Sequence, residues 1–113
     1  MTLDVFEYSS CGGRDHNEDM TGIKRINSGG IFIVADGLGG HRYGELASEC
    51  AVTTMTADYN GLSDDPESQI KELFAQANTK ILQLQKENGV VMKSTAAVLA
   101  IEGSKAVWAN SGF

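Results

Sequence analysis

Ile31-Phe32-Ile33-Val34-Ala35 runs without a break into Asp36-Gly37-Leu38-Gly39-Gly40-His41, and few backbones accommodate that succession. The first half is β-branched and aromatic and is preceded by Gly29-Gly30, so it reads as a buried strand. The second half sets an acid at the C-terminal end of that strand and follows it with glycines. From Tyr43 onward Ala47, Cys50, Ala51, Thr54, Met55 and Asp58 recur at three- and four-residue intervals, up to Asn60-Gly61. That spacing predicts a helix of small, close-packing residues. A strand must therefore hand over to a helix within a few residues, with a carboxylate at the junction.

Such a junction suits a hard cation, because the strand holds the carboxylate rigidly and glycine lets its own carbonyl approach a metal closely. It serves equally as a strand-to-helix turn that uses glycine for its backbone freedom. Other glycine-loop chemistries fail on spacing. A dinucleotide fingerprint from Gly37 requires glycine where Arg42 stands, and a P-loop requires Lys-Ser or Lys-Thr after the glycines. An EF-hand loop from Asp36 requires oxygen ligands where Leu38 and Gly40 stand.

A second polar cluster, Gly13-Arg14-Asp15-His16-Asn17-Glu18-Asp19, precedes a predicted strand at Thr21 to Ile26. Arg14 is suited to hold a phosphate dianion through a bidentate pair, and Glu18 and Asp19 to reach a metal directly or through its waters. A solvated polar loop is the plainer alternative.

The remaining pattern gives the fold class. Val5 to Tyr8 reads as a first strand. Asp65-Pro66-Glu67 opens a second helix with Ile70, Leu73, Phe74, Ala77, Ile81 and Leu84 along one face and Gly89 just beyond its end. Thr95 to Ile101 and Lys105 to Asn110 flank Glu102-Gly103-Ser104 as a β-hairpin. The order β-β-β-α-α-β-β keeps strands in blocks and helices together, which predicts an α+β fold in a single domain over residues 1–113.

Charge narrows the partners. Fifteen acidic against 9 basic residues give a net charge of -6, which disfavours nucleic acid and leaves metals or a placed arginine to create any phosphate site. No apolar stretch is long enough to span a bilayer, and a cytoplasmic location is expected by default. Cys11 and Cys50 lie in no Cys-x-x-Cys spacing and are read as free thiols.

Four motifs in order carry a specific resemblance: Arg14-x-x-Asn17-Glu18-Asp19; Val34-Ala35-Asp36-Gly37-x-Gly39-Gly40-His41-x-x-Gly44-x-x-Ala47-Ser48; Met92-Lys93-Ser94-Thr95-Ala96; and Ala109-Asn110-Ser111-Gly112. Together they resemble the metal-dependent protein phosphatases, type 2C, in their bacterial form. The resemblance implies the N-terminal half of a four-layer α-β-β-α sandwich that holds two Mn2+ or Mg2+ ions. It further implies Asp36 as the carboxylate bridging both metals, Gly37 as a carbonyl ligand, Glu18 as a metal-holding acid, Asp19 as its supporting acid and Arg14 as the phosphate-binding residue. The implied reaction is hydrolysis of phosphoserine and phosphothreonine in a phosphoprotein substrate by a metal-activated water.

The sequence departs from that family at three places. Leu38 stands where some members carry a histidine, so no proton-donor role passes to His41, and His16 reads as a loop residue. Lys93 stands where glycine is usual, and Phe113 where an acid followed by Ser-Arg is usual. The aspartates that the family supplies from its C-terminal half have no counterpart here. The expectation is therefore weak metal binding and little turnover by this chain alone, with exposed apolar faces that favour a homodimer or a strand-swapped assembly. A non-catalytic pseudophosphatase or self-associating scaffold is the alternative. A metal-sensing domain leaves Arg14 without a task.

Overall fold

Alternation along the strands builds a sheet with two unlike faces. In the computed structural model, which describes residues 18–40 and 42–113, β1 (Asp19–Ile26) and β2 (Gly29–Leu38) form one hairpin, and β3 (Lys93–Glu102) and β4 (Lys105–Gly112) another. The turns are short: Asn27 adopts φ 51 between β1 and β2, and Gly103 φ 59 between β3 and β4. Both are residue types that tolerate left-handed backbone. The sheet order is β1-β2-β3-β4, with every neighbouring pair antiparallel. The predicted strand at Val5 to Tyr8, the thiol of Cys11 and the residues His16 and His41 lie outside the described residues.

Between the hairpins the chain forms α1 (Tyr43–Asp58) and α2 (Pro66–Asn88), giving the α+β arrangement that the sequence predicts. Gly44, Ala47, Ser48, Ala51, Val52 and Met55 make the buried stripe of α1. Their small size lets the helix lie close on the sheet. A Cβ added to Gly22 of β1 would collide with Val52. Against this stripe stand Ile31, Ile33 and Ala35 of β2 and Ala96, Val98 and Ala100 of β3, all buried.

The longer helix begins and ends as its sequence predicts. Asp65 accepts a hydrogen bond from the Ser68 N–H at 3.3 Å, with Pro66 in the first turn and Gly89 at φ 64 as the C-cap. The Val90 N–H donates to the Gln85 carbonyl at 3.3 Å, the long bond that closes a Schellman end. Ile70, Leu73, Ala77 and Ile81 are buried, while Phe74 and Leu84 pack at the margin of the core.

One expected boundary differs. β2 does not end at Asp36 but continues through Gly37 and Leu38, paired with Ser94 and Lys93 of β3. Its partner β3, also ten residues long, keeps the ladder going past the acid. The chain then reaches α1 through Gly39, Gly40 and Arg42, whose φ of 69 turns it sharply. Cys50 is a free thiol, pushed up from its ordinary pKa by burial. No helix among the described residues is long and apolar enough to cross a membrane.

Candidate functional site

Three elements meet at the carbonyl of Glu18. The Gly37 N–H of β2 donates to it at 3.1 Å, and the buried Ser48 hydroxyl of α1 donates to it at 2.6 Å. Gly37 has no room for a side chain, because a Cβ there would run into the carbonyl of Gly44 at the start of α1. The glycine thus sets how near the helix comes to the sheet.

The bond between residues 18 and 37 fixes the environment of the next pair, Asp19 and Asp36, which lie directly opposite each other. They occupy a non-hydrogen-bonded position, where Cα atoms are about 4.5 Å apart and side chains approach most closely. Both residues are exposed and share the sheet face turned away from the helices. Like charges directly opposed across two strands repel, and a cation beside them reverses that sign. Asp36 is held on its other flank by pairing with Thr95. A shallow depression there is lined by Asp36, Val34, Thr95, Ala97, Asn110 and Ser111.

Glu18 takes the opposite side of the strand. A Cβ placed on Gly44 would lie 2.8 Å from the Glu18 Cδ and 2.9 Å from its Oε1, so this carboxylate sits over the first turn of α1. That end of the helix receives no side-chain cap from Arg42, and a carboxylate favours the positive end of a helix dipole.

Glu18, Asp19, Asp36 and Gly37 are therefore gathered at one end of the sheet, and Arg14 lies outside the described residues. Among the described residues no three Asp, Glu, His or Cys side chains converge as a ready-made metal group. The donors present are carboxylates and a backbone carbonyl, all hard oxygens, which fit part of the coordination shell of Mg2+ or Mn2+. The sequence alone does not show that Thr95 and Asn110 share the Asp36 face. The signal lay in their parity, since alternate residues of paired strands line one face, but parity needs the register that only the fold supplies. Ser48 was visible as a motif position, yet its bond to a residue 30 positions away was not.

The family model for protein phosphatase 2C matches residues 9–110. Protein phosphatase PhpP of Streptococcus pneumoniae is 38% identical over 106 residues, covering 88% of this chain and 43% of that protein. The serine/threonine phosphatase stp of Listeria monocytogenes is 34% identical over 109 residues, covering 88% of this chain and 42% of that protein. Among solved structures, the S. agalactiae serine/threonine phosphatase superposes with a TM-score of 0.66 at 29% identity, over 84% of this chain and 42% of that one. A bacterial serine phosphatase gives a TM-score of 0.74 at 25% identity, over 86% of this chain and 47% of that one. The chain thus spans less than half the length of the relatives it matches.

Proposed function

Because this chain belongs to the protein phosphatase 2C family, we propose that it supplies the N-terminal part of an active site that hydrolyses phosphoserine and phosphothreonine in protein substrates, with Mn2+ or Mg2+ as the cation. The observation that carries this reading is the facing pair of Asp19 and Asp36 at the closest-approach position of two paired strands. A divalent cation bound there would offset the like charges of two acids that the ladder sets face to face. When bound, such cations activate the attacking water and offset the charge of the phosphate.

The chain's own residues have separate tasks. Asp36 is fixed between two strands, so its carboxylate is preorganised as a ligand. Gly37 supplies a backbone carbonyl, and Glu18 an acid anchored through its own carbonyl by Gly37 and Ser48. Asp19, the supporting acid beside Glu18, faces Asp36 across the ladder. Arg14 binds the substrate phosphate through a charge-assisted pair.

The test is Mn2+ binding together with Mn2+-dependent hydrolysis of a phosphothreonine peptide, comparing the chain with its Asp36→Asn variant. Binding is expected to weaken by roughly tenfold or more in the variant, following the loss of a charged ligand, with any turnover lost in parallel. Unchanged binding and turnover in Asp36→Asn would falsify the assignment.

The outer face of the sheet favours a second reading, a self-associating module. Ile23, Phe32, Leu99 and Trp108 form one continuous cross-strand row, and Trp108 is 69% exposed. A homodimer that covers this row is compatible with the catalytic reading.

A further inference from the structure

Opposite charges stand at the two ends of the outer sheet face. Arg25 is exposed at one end, across from Gly30, and Asp36 is exposed at the other, across from Asp19. Lys24 turns to the helix side, where its ammonium donates to the Tyr59 carbonyl at 2.7 Å, so alternation along β1 points Arg25 outward. Gly30 and Asp36 lie about 20 Å apart along β2, too far for the arginine and the acid to meet within one copy. Among the described residues neither enters an ion pair. Two rows lie between them: Ile23-Phe32-Leu99-Trp108, wholly apolar, and Thr21-Val34-Ala97-Asn110.

We infer that a second copy of the chain packs on this face in reversed orientation, so that Arg25 of each copy pairs with Asp36 of the other. This rests on the self-association reading above and adds its geometry. Two identical faces stack about a two-fold axis lying between them. An axis along the strands sets Arg25 over Arg25 and Asp36 over Asp36, and like charges so placed repel. An axis across the strands sets the arginine end of each copy over the acid end of the other, and the apolar row over Val34 and Ala97. Gly30 then faces Asp36 of the second copy, and its lack of a side chain leaves the neighbouring Arg25 room to reach that acid. Stacked sheets stand about 10 Å apart, a gap that a long arginine and a short aspartate bridge together. Lys93, opposite Leu38, falls outside these rows and over a turn. Four strands about 4.8 Å apart and about seven residues long offer roughly 450 Å² per copy, near half of a standard interface. Association is therefore weak. Asp36 is open to solvent in the monomer and engaged in the dimer, and a weak assembly leaves both states populated.

The experiment measures dimer dissociation of the whole chain by sedimentation equilibrium at low and at high salt. The proteins compared are the wild type, Arg25→Glu, Asp36→Arg and the chain carrying both changes, each checked for folding by circular dichroism. Each single change sets like charges together at both ends of the interface, and is expected to weaken the dimer roughly tenfold or more at low salt, with the difference fading at high salt. The double change exchanges the two ends and is expected to return the affinity to within about threefold of wild type. In the unreversed stacking Arg25→Glu only replaces one like pair by another, so an Arg25→Glu dimer as tight as wild type overturns the inference. Weak association of the double variant overturns it as well. In both cases self-association itself stands. A wild-type chain that stays monomeric at every concentration removes the self-association reading, and this inference with it.

Discussion

Two buried contacts at the Glu18 carbonyl differ in what their loss costs. Ser48→Ala removes one of two donors to that oxygen, leaving the Gly37 N–H in place. The loss is then the net value of one hydrogen bond, about 0.5–1.5 kcal/mol, rather than the larger penalty of an unsatisfied acceptor. Gly37→Ala has no such reserve, because its new methyl meets backbone of Gly44 that cannot rotate aside. Overpacking of this kind costs about 1–3 kcal/mol, sometimes more. Urea denaturation is expected to rank Gly37→Ala as the more destabilised, and the reverse order would mean that α1 yields easily at its first turn. The strand-to-helix junction around Asp36 and Gly37 was legible because strand, acid and glycine are contiguous. The sequence was silent on Ser48 because a serine in a helix declares no partner until the sheet is in place.

At the scale of elements, α2 was almost wholly legible, since its cap, its proline and its terminal glycine are local signals. The cap also has a pH signature. Asp65 is held below its ordinary value of 3.8 by the hydrogen bonds from Ser68, side chain first and backbone second. A lowered folded-state value means that the carboxylate stabilises the fold above its ordinary value and loses that contribution as pH falls through the lowered one. Asp65 is fully exposed, so solvent screening keeps the effect small. Thermal melts of wild type and Asp65→Ala are expected to differ at neutral pH by a few degrees at most, and to converge as pH falls from about 4 downward. A gap that persists unchanged at low pH would assign the effect to helix propensity instead. By contrast, β2 runs past the end that its local sequence predicts. Glycine after an acid signals a turn locally, but pairing with the ten-residue β3 carried the strand two residues further.

For the whole molecule, the apolar residues outnumber the faces that the helices can cover. Ala96 to Ile101 is apolar at every position, the pattern of a strand buried on both sides. Yet only Ala96, Val98 and Ala100 lie beneath the helices, while Leu99 is 38% exposed and Val34, on the same outer face, is 57% exposed. Among the described residues no element covers that face. A continuous apolar row of this kind drives association when nothing else shields it. Trp108 is the sole tryptophan and sits at the end of the row, so its fluorescence reports on the face directly. On raising the concentration of the chain, its emission is expected to shift to the blue as sedimentation velocity shows a larger species. Trp108→Glu is expected to keep the chain monomeric, since a carboxylate in the middle of an apolar contact loses its hydration without a partner. A monomer with unshifted emission at high concentration would show that the face tolerates water, and the apolar row would then need a cause other than assembly.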